Sequence, residues 1–139
     1  MRGAKSYLNQ IRERFAQDLY ATEATAISVD EAGEHYAKCS LTVDRRHQNA
    51  MGGVMGGVIF TLCDFAFAIA SNGVSGPLTT TLSTNISYLS QPKGCQLIAK
   101  ATLVRDGKTT CCYEIRVTDE VNTAVALAVF NGYKISRRA

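Results

Sequence analysis

Two periodicities divide the chain. Tyr7, Leu8, Ile11, Phe15 and Leu19 recur at helical spacing over residues 4–19, which predicts an amphipathic helix. In "TAISVDEAGEHYAKCSLTV" the pattern becomes alternation. His35, Ala37, Cys39, Leu41 and Val43 fall on one side of a strand, and Glu34, Tyr36, Lys38, Ser40 and Thr42 on the other. "EAGE" at 31–34 is the turn expected before that strand. The apolar run Val58 to Ala70, broken by Thr61 and Asp64, predicts a helix that is hydrophobic nearly all the way round. Alternation then returns. Leu82, Ile86 and Tyr88 oppose Thr81, Ser83, Asn85 and Ser87, and Leu97, Ala99, Ala101 and Leu103 line up in the next strand. "RDGK" (105–108) is a hairpin turn signal. After it, Cys111, Tyr113, Ile115 and Val117 oppose Cys112, Glu114, Arg116 and Thr118, and a loop at "DEVN" leads to the last strand, "TAVALAVFNGYKI".

The layout is a helix, two strands, one very hydrophobic helix and four more strands. Strands that are apolar on one face need cover there, and the central helix needs cover on every side. An antiparallel sheet of about six strands curled around that helix meets both needs. The expected architecture is therefore α+β, in one domain over residues 1–139.

Composition narrows the partners. A net charge of +3 is mild, the cations are scattered, and Trp is absent, all of which argues against nucleic acid. Modest positive charge does suit a small phosphate-bearing ligand. The odd count of five cysteines, with no C-x-x-C spacing, predicts free, mostly buried thiols in a reducing compartment. "MRGAKSYLNQIRERF" lacks a signal-peptide core, and the apolar run is too short to span a bilayer, so a cytoplasmic protein with no membrane partner is expected. With only His35 and His47 available, no metal site is expected.

The chemistry concentrates in "MGGVMGGVIFTLCD". Gly52, Gly53, Gly56 and Gly57 precede the helix. No Lys-Ser/Thr follows them, as a phosphate-binding P-loop would need, and they do not form the dinucleotide fingerprint G-x-G-x-x-G. A membrane-dimer reading lacks its apolar span. What remains is a glycine loop opening a helix, whose first amides lack helical partners and carry partial positive charge. The glycines could equally serve only a tight loop and close packing. Asp64 lies eight residues beyond Gly56, in apolar surroundings where an unpaired carboxylate is costly. Either it emerges on a solvated edge, or it acts as base or nucleophile on a carbonyl held by the helix N-terminus.

"HQNAMGGVMGGVIFTLCDFAFA" (47–68) resembles the signature H-x-N-x(4–5)-H-G-G-x(6)-D of hotdog-fold acyl-CoA thioesterases, and is most similar to the phenylacetyl-CoA thioesterase-like branch. "NISYLSQP" and "RDGKTT" extend the likeness over most of the chain. The resemblance implies a hotdog fold and hydrolysis of an acyl-CoA, with no cofactor beyond the CoA of the substrate itself. Asp64 would be the catalytic acid and the Gly56 N–H the carbonyl-polarising donor. Asn49 would place water or substrate, and Thr81 would be a hydroxyl near the acid, with Ser83 on the same face as its alternative. Gly57, Met55 and Ser83 would contact substrate, and the strand layout adds Lys93, a loop cation, on the CoA side. The site would form across a dimer, with a dimer of dimers as the other assembly.

One departure stands out: Met55 occupies the position of the family histidine. If that histidine supplies a donor, its loss costs roughly 3 kcal/mol, about a hundredfold in rate. A non-catalytic acyl-CoA sensor using the same pocket is the alternative this favours. A hydratase would need a histidine beyond His47, and none follows. Lys93, Arg105, Lys108, Lys134, Arg137 and Arg138 are the cations available to the CoA phosphates, and Phe60, Phe65 and Phe67 the aromatic candidates for the acyl pocket.

Overall fold

A computed structural model describes residues 5–75 and 78–135, so Arg137 and Arg138 lie outside the described residues. Helix α1 (Tyr7–Phe15) starts at Ser6, whose Oγ accepts from the Asn9 amide at 3.1 Å. Such a cap satisfies one of the amides a helix start leaves open. Ile11 and Phe15 are its buried residues. The helix ends before 19, and a short π-helical turn (Tyr20–Ala24) follows. Leu19, expected on the apolar face, is instead 56% exposed.

Strands β1 (Ser28–Gly33) and β2 (Tyr36–Thr42) form a hairpin with its turn at Glu34–His35, not over 31–34. A two-residue connection needs positive φ, and His35 supplies it at 58°. The chain then crosses through α2 (Gly56–Asn72) to β3 (Leu78–Tyr88), and returns through β4 (Gln96–Asp106), β5 (Thr110–Asp119) and β6 (Ala124–Ile135). The sheet order is β1-β2-β4-β5-β6-β3, with every pair antiparallel. Because β2 and β3 lie toward opposite edges, the connecting helix spans the inner face and touches all six strands. That is the hotdog arrangement.

In β2, β4 and β5 the alternating residues expected inside are inside. Ala37, Cys39 and Leu41 are buried, as are Leu97, Ala99 and Ala101, and Tyr113, Ile115 and Val117. They close on Ile59, Leu62, Phe65, Ala66, Phe67 and Ile69 of α2. Phe67 stacks on Phe130 at 4.9 Å and meets Tyr113 edge-on at 5.5 Å. All five cysteines are free. Among the described residues, no helix is long and apolar enough to cross a membrane.

Two further expectations fail, each for a geometric reason. Helix α2 is not covered all round: Gly57 and Asp64 are exposed, and Thr61 and Ala68 only half-buried. Their spacing of four, three and four residues makes one continuous stripe along the helix. The second concerns β3. Its register against β6 shifts between Thr81 and Ser83, so Leu82 is the extra residue of a bulge. One inserted residue reverses the facing of everything beyond it. Thr81, opposite Gly132, therefore shares the inner face with Ile86 and Tyr88, whereas Ser83, opposite Asn131, points outward. Thr81 and Ser83 do not share a face.

Candidate active site

The loop before α2 is built by local hydrogen bonds. Asn49 Oδ1 accepts from Met51 N at 2.9 Å and from Gly53 N at 3.1 Å, and Asn49 N donates to Gly53 O at 2.7 Å. Asparagine stabilises tight turns by engaging the backbone in this way. His47 anchors one end. Its buried ring accepts from Asp44 N at Nδ1, 3.0 Å, and donates from Nε2 to Thr25 O at 2.7 Å, a wholly structural role. Met55 N donates to His47 O at 2.9 Å, which brings the chain back to the same anchor.

Met55 is the N-cap residue of α2; its side chain makes no cap bond and is 51% exposed. Among the described residues, neither the Gly56 nor the Gly57 amide has an acceptor. Both sit where the helix carries its partial positive charge. Gly56 borders a groove of about 350 Å³ lined by Val54, Ile59, Tyr88, Leu89 and Gln91. Tyr88 and Gln91 carried no sequence signal for this role, since one reads as a strand residue and the other as a loop polar residue.

Asp64 opens onto a second groove, about 310 Å³, between α2 and the π-helical turn. Leu19, Tyr20, Thr61, Phe65 and Ala68 wall it, and Asp18 lies on its rim. Solvent reaches the Asp64 side chain, yet the protein packed around it raises its carboxyl above the usual range, and the Asp18 charge adds to the rise. No cation lies within salt-bridge distance of either acid among the described residues. The adjacent Cys63 thiol is buried and pushed up to about 12, first by burial and then by Asp64, so it is no thiolate nucleophile.

Eight residues of helix separate Gly56 from Asp64, an axial rise of about 12 Å. One carbonyl cannot touch both groups within a single chain. Lys93 lies in the β3–β4 loop, tied by its amide to Asp119 Oδ2 at 2.8 Å, with its side chain exposed. Lys134 is engaged by Asp106 at 2.5 Å. Of the three phenylalanines, Phe65 walls the Asp64 groove, Phe67 lies in the core, and Phe60 packs half-buried on Phe130. A larger cavity of about 500 Å³ at the far end of α2 contains neither Asp64 nor a free helix-start amide. Its His35 bonds Tyr113 at 2.9 Å and its Lys134 pairs with Asp106, so its polar groups brace strand ends rather than face a substrate.

The model of the thioesterase superfamily matches residues 51–126, which include the glycine loop, Asp64 and strands β3 to β5. The chain belongs to the thioesterase superfamily. A relative from Archaeoglobus fulgidus, provisionally named an esterase, is 33% identical over 92% of this chain and 86% of its own length. The acyl-coenzyme A thioesterase PaaI of Escherichia coli is 30% identical over 81% of this chain and 83% of its own. The solved structure of that protein, from the phenylacetic acid degradation operon, superposes with a TM-score of 0.81 at 26% identity, covering 94% of this chain and 97% of that one. A hypothetical thioesterase protein of Streptococcus pneumoniae solved with coenzyme A also gives a TM-score of 0.81, at 25% identity over 92% and 99% of the two chains.

Proposed function

We propose that this superfamily member hydrolyses an acyl-CoA thioester to a free acid and CoA, in a site completed by a second copy of the chain. The observation that carries this is Asp64: a carboxylate with no cation partner among the described residues, held on the uncovered stripe of α2 beside an apolar groove. A carboxyl raised by its surroundings is a stronger base once ionised, and such shifts cluster where chemistry is done. The relative solved with coenzyme A supports the substrate class.

In this reading the thioester carbonyl accepts from the Gly56 N–H of one subunit, with Gly57 and Met55 beside it. Asp64 of the other subunit takes the proton of an attacking water. Negative charge grows on the carbonyl oxygen, the amide stabilises it, and the C–S bond breaks. The thiolate leaves and takes up the proton, giving CoA and the acid. In the alternative course Asp64 attacks the carbonyl directly, the C–S bond breaks and CoA leaves, and water then opens the resulting mixed anhydride to the acid and free Asp64. A single turnover in heavy-oxygen water that labels the enzyme carboxylate would identify the second course, because general-base hydrolysis leaves Asp64 unlabelled.

The acyl group fits between α2 and the π-helical turn, against Phe65, Leu19 and Tyr20. Asn49 keeps its amide nitrogen for water or substrate, and Thr81 faces inward from β3. Lys93 extends toward solvent, where the CoA phosphates would run. The edge position of β3 and the bare stripe of α2 favour self-association as a dimer, with a dimer of dimers as a further step. No metal or organic cofactor is needed, and the free thiols suit a reducing cytoplasm.

Thiol release from a panel of aromatic and fatty acyl-CoAs, with wild type and Asp64→Asn, tests the reading. Turnover by wild type that Asp64→Asn loses supports it. Tight binding with no turnover of any member favours the sensor that exposed Met55 leaves open.

A further inference from the structure

The loop that would polarise the carbonyl contains four glycines within six positions, and glycine loses the most freedom on ordering. A donor amide stabilises a developing oxyanion only if its direction is fixed beforehand. Met55, the N-cap residue, contributes no side-chain bond, and Asn49 braces only Met51 and Gly53. In the Val54–Gly57 segment the backbone ties Met55 N to His47 O at 2.9 Å, which leaves the Val54 amide and the Gly56 carbonyl to be held from elsewhere.

The end of β3 and the turn after it reach that segment. Tyr88 Oη donates to Gly56 O at 3.2 Å, and its ring lies 3.4 Å from where a Cβ on Gly56 would stand. Gln91 Oε1 accepts from Val54 N at 2.9 Å, with its amide group 3.2 Å from the corresponding point on Gly53. These two side chains hold the segment from above while its amide donors stay free. Their own backbone is anchored. Tyr88 pairs with Ala126 of β6, Leu89 N donates to Val125 O at 2.8 Å, and Ser90 Oγ donates to Ala124 O at 2.7 Å. A site held by a strand keeps its geometry better than one held by a free loop.

We propose that Tyr88 and Gln91 are positioning residues for the helix-start amides, Tyr88 fixing the direction of the Gly57 N–H and Gln91 the approach of the chain to the Gly56 N–H. Tyr88 acts through the Gly56 carbonyl, which belongs to the same peptide group as the Gly57 N–H. In a trans peptide, C=O and N–H point in opposite directions, so fixing one fixes the other. Gln91 sets the entry of the chain into α2 by holding the Val54 amide. The same strand ends the sheet beside β6, so the clamp also ties the amides to the edge where a second copy would pair. This inference rests on the thioesterase reading.

The test is Tyr88→Phe, which keeps the ring and removes the hydroxyl, together with Gln91→Leu. Neither side chain belongs to the buried core. We expect kcat for the best acyl-CoA of the panel to fall roughly tenfold in each variant, on the scale of a partly misaligned oxyanion donor, with KM and the Kd of free CoA nearly unchanged. In an Asp64→Asn background, the infrared carbonyl band of a bound ¹³C-labelled thioester should move back toward its solution position when Tyr88→Phe is added. Unchanged kcat and an unchanged band would overturn the clamp and leave the hydrolase standing. A fall in kcat matched by an equal loss of CoA affinity would also overturn it, as that signals general disruption of the site. Failure of wild type to hydrolyse any acyl-CoA would overturn the thioesterase reading itself.

Discussion

At the scale of single residues, Asp64 and Gly56 carry the argument. The Asp64 carboxyl is raised, first by the protein around it and second by the charge of Asp18. A base works only when ionised, so kcat/KM should decline on the acid side with a midpoint above the usual aspartate range. Removing a like charge lowers a pKa, so Asp18→Asn should move that limb to lower pH, which a pH–rate profile reads directly. The same shift predicts a stability effect. A group whose pKa is raised by folding destabilises the native state once it ionises, so Asp64→Asn should melt higher than wild type at neutral pH. The difference should shrink as pH falls below the raised Asp64 pKa and vanish only below the ordinary aspartate range, where the side chain is neutral in the folded and unfolded chains alike. The loss of turnover in the same variant should be on the order of a hundredfold or more. Gly56 is testable because its N–H can be deleted. Gly56→Pro places proline at the first helical position, where it is well tolerated, and Met55, at φ −66° and ψ 135°, already has the backbone a residue before proline prefers. This variant should fold and lose on the order of a hundredfold in kcat, measured by thiol release.

At the scale of elements, the closeness of the helix to the sheet is set by Gly132. A Cβ there would stand 2.6 Å from Thr79 Cγ2 and 2.9 Å from both Cys111 Sγ and Phe67 Cζ. Gly132→Ala should therefore destabilise the fold by about 1–3 kcal/mol, read from denaturant unfolding. The strand ends are tied by Asp119, whose carboxylate accepts from the amides of Lys93, Gly94, Val121 and Thr123. Burial alone would raise this carboxyl, but those donors outweigh it and hold it well below the usual range. Asp119→Ala should lower Tm by several degrees. Alternation and helical spacing made β2, β4, β5, β6 and α2 legible in the sequence, because each buries a regular set of apolar positions. The bulge at Leu82 was not legible. An inserted residue leaves no mark on a polar edge strand such as "TTTLSTNISYLS", so Thr81 and Ser83 read as sharing a face when they do not. The end of α1 was hidden for a similar reason: Leu19 continues the apolar spacing, yet the backbone turns away and leaves it walling the Asp64 groove.

At the scale of the whole molecule, the glycine loop and the acid were legible as a pair, but not what separates them. Both lie on one helix, and about 12 Å of axial rise keeps them apart within a chain. The clamp residues Tyr88 and Gln91 were equally invisible, because they meet the loop only through the fold. The proposed mechanism needs two chains per site, which subunit complementation tests directly. Asp64→Asn and Gly56→Pro chains would be unfolded together and refolded as a mixture. Each inactive partner would then supply what the other lacks, at one of the two sites of each mixed dimer. With random pairing in a twofold-symmetric dimer, thiol release should recover to roughly a quarter of the wild-type rate. A mixture no more active than its two parents would contradict the shared site.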